Sequence, residues 1–154
     1  MAVGVLKTKD IIKARATGVG NFVLILGGAT GRDGVAGAAF ASKAIDKESK
    51  GKSSAVAIGD PRMGRILRAA CLELMSKDLV LGMQDMGAAG LICSIAETSY
   101  NANTGIEIDI SLVHRKEKGM NAYEVMLSES QERMLAIVSK GKLNTVKKIL
   151  AKWK

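Results

Sequence analysis

Leu81-Gly82-Met83-Gln84-Asp85-Met86-Gly87-Ala88-Ala89-Gly90 sets two polar side chains between an apolar run and a turn of small residues. The apolar run Leu79 to Met83 is short and bounded by glycine, which suits a buried strand better than a helix. Gln84 and Asp85 then stand where that strand ends. Gly87 and Gly90 let the backbone turn tightly, and Ala88, Ala89, Leu91 and Ile92 begin a helix packed close to the strand. A carboxylate on such a strand-to-helix loop has two readings. Asp85 caps the helix by accepting its first N–H groups, or it offers a hard oxygen to Mg²⁺, an ion that shares its ligands with water and phosphates.

Upstream of this stretch, Phe22-Val23-Leu24-Ile25-Leu26 predicts a second strand. It runs into Gly27 to Gly37, a loop with five glycines in eleven residues. Such a loop brings backbone N–H groups against an anion or another chain segment. It lacks the Gly-Lys-Ser/Thr ending of a P-loop, and its glycine spacing is not that of the dinucleotide fingerprint. Arg32 and Asp33 within it either pair or anchor a neighbouring domain. Ala38 to Ala41 starts a small-residue helix that gives way to a polar loop by Lys52, and Ala55 to Ile58 predicts a short strand. Asp60 and Pro61 supply an N-cap and a first-turn proline for a helix over Pro61 to Met75. Nearer the N-terminus, a short helix is expected around Asp10 to Ala14.

Downstream, Gly105 to Ile110 alternates strictly, predicting a strand over Ile106 to Ile110 with Glu107 and Asp109 on its solvent side. Asn121 with Glu124 three residues on resembles a capping box for a helix reaching Leu127. Ser128-Glu129-Ser130-Gln131-Glu132-Arg133 is a polar segment able to hydrogen-bond a ligand at a strand end, or simply a polar turn, before the strand Met134 to Val138. His114 is the only histidine. It has no Ser or Cys partner in a recognisable motif, which argues against a hydrolase triad.

The composition, 47% hydrophobic and 25% charged over 154 residues, fits one globular domain, and 3% aromatic residues mean an aliphatic core without base-stacking faces. The formal charge is +8, and Lys140 to Lys154 alone holds six lysines and no acid. There Leu143, Val146, Leu150 and Trp153 recur at helical spacing, so a helix over Leu143 to Trp153 carries its lysines on a solvated face. A polyanion-binding helix is the alternative reading, and nucleic acid is not the expected partner. Cys71 and Cys93 have no metal-ligand spacing and are expected to be reduced. With no apolar stretch of about 18 to 20 residues and no signal-peptide pattern, the expected location is the cytoplasm.

Gly31-Arg32-Asp33-Gly34, Gly59-Asp60-Pro61, Gln84-Asp85-Met86-Gly87-Ala88-Ala89-Gly90 and Met126-Leu127-Ser128-Glu129-Ser130-Gln131-Glu132-Arg133-Met134 together closely resemble the synthetase subunit of the phosphoribosylformylglycinamidine synthases. The resemblance covers nearly the whole chain, in order. It implies a single domain over residues 1–154, of the first C-terminal type in that subunit. The implied fold is α+β, a mixed sheet flanked by helices like the C-terminal domain of aminoimidazole ribonucleotide synthetase. The implied reaction is that of an ATP-dependent ligase of purine biosynthesis, joining formylglycinamide ribonucleotide and ammonia. ATP would phosphorylate the amide oxygen and ammonia, delivered from glutamine by a glutaminase partner, would displace it. By the same resemblance Asp85 binds Mg²⁺, and Glu129, Ser130 and Gln131 bind the substrate. Much of the ATP site and the catalytic histidines would lie on a preceding domain, so the chain alone is expected to be inactive. Two positions depart from the family pattern: Ala57 stands where glutamine is usual, and Ala36 where histidine is common.

Overall fold

The computed structural model describes residues 4–35 and 59–153. Their elements run β1 (Phe22–Gly27), α1 (Pro61–Ser76), β2 (Gly82–Asp85), α2 (Gly90–Ala102), α3 (Ala122–Leu127), β3 (Arg133–Val138) and α4 (Leu143–Lys152). The strand order is β1-β3-β2, with both pairings antiparallel. Among the described residues the one parallel pairing is the isolated bridge between Thr30 and Arg115. The helix expected from Ala38, the strand Ala55 to Ile58, and positions Ala36 and Ala57 lie outside the described residues.

The sheet is a central layer, and the strand alternation divides its side chains between two cores. Leu24 and Leu26 of β1, Met83 of β2, and Met134, Ala136 and Val138 of β3 point to one face, where Leu67, Cys71 and Leu74 of α1 meet Val146 and Leu150 of α4. Val23, Ile25, Leu135 and Ile137 point to the other, against Leu91 of α2, Val125 of α3 and Met120. The middle strand is therefore apolar at every position after Arg133. Leu135 and Val138 are fully buried, each contributing roughly 1.5 to 3 kcal/mol of transfer free energy.

Helix α1 starts where the sequence says it should, the Asp60 carboxylate accepting from the N–H groups of Arg62 and Met63, both at 3.0 Å, with Pro61 at the first position. Its far end is tied to α4: Glu73 binds Lys152 at 2.5 Å, Lys77 at 2.8 Å and the Trp153 indole N–H at 2.8 Å. Lys152, Lys77 and Trp153 hold the Glu73 carboxyl down to about 2. A folded-state value below the unfolded one stabilises above the unfolded range and is lost as pH falls through the folded value. Glu73→Gln should therefore flatten the loss of stability between about pH 4.5 and pH 2 in acid titrations followed by circular dichroism. An unchanged slope would mean that the cluster is not formed in solution.

Three expectations need correction. The strand predicted over Leu79 to Met83 is shifted to Gly82–Asp85. Leu79 N–H still bonds the Leu74 carbonyl of α1, and pairing with β3 begins only at Leu81 N–H to Ile137 O, 2.8 Å, so Leu79 and Val80 fill the core as a connection. Ile106 to Ile110 is not a strand. The inward and outward alternation survives, with Glu107 and Asp109 exposed and the isoleucines half-buried, but the segment lies on the second core without a sheet neighbour, and Asp109 caps a 3₁₀ turn at Ile110–Leu112. Asp10 to Ala14 is not helical, and the short turn sits at Thr8–Asp10. The carbonyls of Lys13, Ala14 and Ala16 are taken by Met83 N–H, the Asn101 amide and the Thr104 hydroxyl, which draws the lead-in out along β2 and α2.

Candidate functional site

Three loops meet at one end of the sheet: Gly28 to Val35 after β1, Met86 to Ala89 between β2 and α2, and Ser128 to Glu132 before β3. Glu129 joins them. Its carboxylate accepts from the Ala89 N–H at 2.9 Å, and its own N–H donates to the Asp33 carbonyl at 2.7 Å. Ala89 precedes the first residue of α2 with φ 54° and no side-chain cap, so the Glu129 carboxylate serves the helix N-terminus from across the site, where a negative charge also complements the helix dipole. Gly34, at φ 71°, has to be glycine for the same contact. A Cβ there would lie 2.5 Å from the Glu129 Cβ.

Ser130 is fully buried. Its hydroxyl accepts from the Gly31 N–H at 2.8 Å and donates to the Asp33 carboxylate, which also binds Lys116 at 3.0 Å. Burial pulls the Asp33 carboxyl upward, but Ser130 and Lys116 outweigh it and hold the group below the usual carboxylate range. Arg32 makes the second anchor of the glycine loop, with Nε to Glu124 at 2.7 Å and Nη1 to Glu117 at 2.6 Å. Glu124 meanwhile completes the capping box of α3 with Asn121. Arg32 and Asp33 thus pair within the domain, and the glycine-rich backbone lies against another chain segment.

Arg133, only 3% exposed, is the cation beneath these loops. Its Nε donates to the Ser130 carbonyl at 2.8 Å, Nη2 to the Ser128 carbonyl at 2.6 Å and Nη1 to the Thr30 hydroxyl at 2.9 Å. Burial pushes the guanidinium down to about 10 while the charge of Asp33 opposes the shift, so it stays protonated at neutral pH. Sequence reading passes over its role. The available signal is an arginine opening a strand whose next five residues are apolar, since an ion is rarely buried without partners.

The structure brings Asp85, Glu129, Ser130 and Gln131 to this same end of the sheet in different states. Asp85 is the exposed last residue of β2 and does not cap α2. Gln84 turns to Glu97 at 2.6 Å. Gln131 is exposed, with its amide donating to the Glu129 carbonyl at 3.1 Å, whereas the Ser130 hydroxyl is committed to the protein. Asp109 serves Ser111, and the His114 side chain is exposed. Among the described residues no group of three or more His, Cys, Asp and Glu could hold a metal by itself, and no helix is long and apolar enough to cross a membrane. On α4, Val146 is buried while Lys147 and Lys148 are exposed and Lys152 is held by Glu73, as expected of a solvated face.

A family model described as AIR synthase related protein, C-terminal domain, matches residues 18–154. The chain belongs to that family. Relatives within it include the phosphoribosylformylglycinamidine synthase subunit PurL of Moorella thermoacetica and that of Thermoanaerobacter sp. strain X514, each 50% identical over 153 residues, which are 99% of this chain and 21% of the relative. The chain therefore spans about a fifth of the length of these relatives. Among solved structures, Thermotoga maritima PurL complexed with FGAR superposes with a TM-score of 0.85 at 34% identity, covering 95% of this chain and 24% of that one. The same protein complexed with ATP gives 0.80 at 31%, covering 97% and 22%. The α+β fold inferred from the sequence is that of this family.

Proposed function

We propose that the chain is one domain of an ATP-dependent carbon–nitrogen ligase of purine biosynthesis, and that it supplies metal and substrate contacts to a site completed by further domains. The observation that carries this reading is the convergence of the Asp85 turn, the Gly31 to Gly34 loop and the Ser128 to Gln131 segment at one end of the sheet. It occurs in a chain that aligns over 95% of its length with a PurL structure complexed with FGAR. The substrate is formylglycinamide ribonucleotide, FGAR, whose amide oxygen takes the γ-phosphoryl group of ATP with release of ADP, after which ammonia attacks the amide carbon and that oxygen leaves as inorganic phosphate. The partners are the remaining synthetase domains and a glutaminase, a reading supported by the existence of a Thermotoga maritima PurLQS structure similar to this chain. The working location is the cytoplasm. Within the synthetase the chain corresponds to the first C-terminal-type domain.

Asp85 fits Mg²⁺ as a single ligand, being an exposed carboxylate at a strand end without two acidic neighbours. Mg²⁺ keeps several waters and accepts one or two carboxylates plus phosphate oxygens. When bound it would neutralise charge developing on the transferred phosphoryl group. The contribution of the chain's own residues is to hold Gln131 and the backbone of Glu129 to Gln131 toward the substrate.

Binding of FGAR to the assembled enzyme should weaken by about 1 to 3 kcal/mol in both Ser130→Ala and Gln131→Ala. The two arise differently. Gln131→Ala removes an exposed amide, whereas Ser130→Ala leaves Gly31 N–H and one Asp33 oxygen short of a partner and loosens the loop. Calorimetric affinities unchanged in both variants would reduce the segment to a polar turn.

A further inference from the structure

We infer that Arg133 is a positioning residue for substrate recognition, setting the conformation of Glu129 to Gln131 without touching the ligand. The inference rests on the function proposed above. Arg133 is 3% exposed, so a ligand at the surface of the site does not reach it. Its three donors instead fix two carbonyls of the segment, Ser128 and Ser130, and the Thr30 hydroxyl of the facing loop. The guanidinium plane thereby sets the spacing between the glycine loop and the segment before β3. The next residue back, Glu132, holds φ 61°, a backbone state that non-glycine residues keep only where surrounding contacts impose it. Arg133 supplies such contacts from one side, and the Gly28 N–H bonded to the Glu132 carbonyl at 2.9 Å from the other.

Two consequences distinguish positioning from general support. The segment carries Gln131, exposed, and Glu129, whose carboxylate holds Ala89 N–H, so an error at Ser128 or Ser130 is passed to the turn following Asp85. Lysine cannot stand in, because an ammonium is a point donor on a flexible stem and lacks the rigid fork that spans three separate oxygens.

The test uses the complete synthetase carrying this domain, with Arg133→Lys and Thr30→Val, the latter removing one acceptor while leaving the cation in place. FGAR affinity is read by calorimetry, and KM for FGAR and for ATP by steady-state kinetics, alongside the thermal midpoint. The expected result is a rise of tenfold or more in the Kd and KM for FGAR in Arg133→Lys, about threefold in Thr30→Val, with KM for ATP within twofold of wild type in both. FGAR constants unchanged in both variants would overturn the inference. So would parallel rises in both KM values that track a fall in thermal midpoint, since that pattern marks a stability role alone. If Arg133→Lys does not fold, Thr30→Val carries the same comparison. Wild-type synthetase that fails to bind FGAR would sink the functional reading itself, an outcome separate from any behaviour of the variants.

Discussion

Among the described residues Gly90→Ala is expected to be the most damaging single-methyl change, costing about 3 to 5 kcal/mol of stability. Two effects add. Gly90 adopts φ 52°, where an L-residue loses on the order of 1 to 2 kcal/mol. Its missing Cβ would also fall on the Ser128 carbonyl, and because that obstacle is backbone no rotamer change relieves it. Ser128 O is the acceptor of Arg133 Nη2, so the displacement passes directly into the buried network. Two other glycines separate the effects. Gly119 has φ 72° and open space within 4 Å of where a Cβ would stand, and Gly105 has neither a positive φ nor a neighbour. Urea unfolding should rank Gly90→Ala far below Gly119→Ala, with Gly105→Ala near wild type. Equal losses at Gly90 and Gly119 would show that the contact with Ser128 is absent in solution.

What can be read in the sequence follows how local each determinant is. The strands Phe22–Gly27 and Arg133–Val138 and the helix Pro61–Ser76 are legible because apolar runs, alternation and an Asp-Pro cap are written in neighbouring residues. Ile106 to Ile110 shows the limit of that logic. Its alternation correctly places three isoleucines inward, but pairing needs a partner strand, and no residue within the segment says whether one is adjacent. The lead-in before β1 escapes local reading for a related reason, its carbonyls being claimed by Met83, Asn101 and Thr104, the latter two more than 80 positions away.

The site is legible by position and much less by role. Asp85 closes β2 and Glu129, Ser130 and Gln131 precede β3, so the antiparallel pairing of the two strands brings all four to one end of the sheet. The division of labour among them is tertiary. Ser130 reads as a donor for a ligand, yet it is fully buried and bonded to Gly31 and Asp33. Glu129 reads as a substrate contact, yet one of its oxygens holds the Ala89 N–H at the entry to α2. Capping of α2 from a distant carboxylate also explains why the choice between Asp85 as cap and Asp85 as ligand is open in the sequence. A helix beginning at Ala89-Gly90 has no capping side chain of its own, and the residue that fills the need lies 40 positions downstream.

The chain alone should neither hydrolyse ATP nor form the amidine, and both activities should appear only when the remaining synthetase domains are supplied. Phosphoryl transfer requires several groups held in line around the phosphates and their metal. Of the residues proposed for the site, one is an exposed carboxylate, Asp85, and the others form one contact segment, of which Gln131 is the exposed side chain. Arg32, Lys116 and Arg133, three cations bonded into the loops, are already engaged by Glu117 and Glu124, by Asp33, and by the Ser128 and Ser130 carbonyls. None is free to clamp a γ-phosphate without dismantling the loop it holds. A lone aspartate also binds Mg²⁺ weakly, because the ion keeps its water unless other carboxylates and phosphates join it. The measurement is phosphate release and amidine formation from MgATP, FGAR and ammonia, by the purified chain and by the complete synthetase, each with Asp85→Asn. In the complete enzyme the loss of Asp85 should lower kcat by about a hundredfold or more, the scale on which removing one transition-state electrostatic contact acts. Turnover by the isolated chain that disappears with Asp85→Asn would place a whole catalytic site in this domain and overturn the reading of it as one part of a larger one.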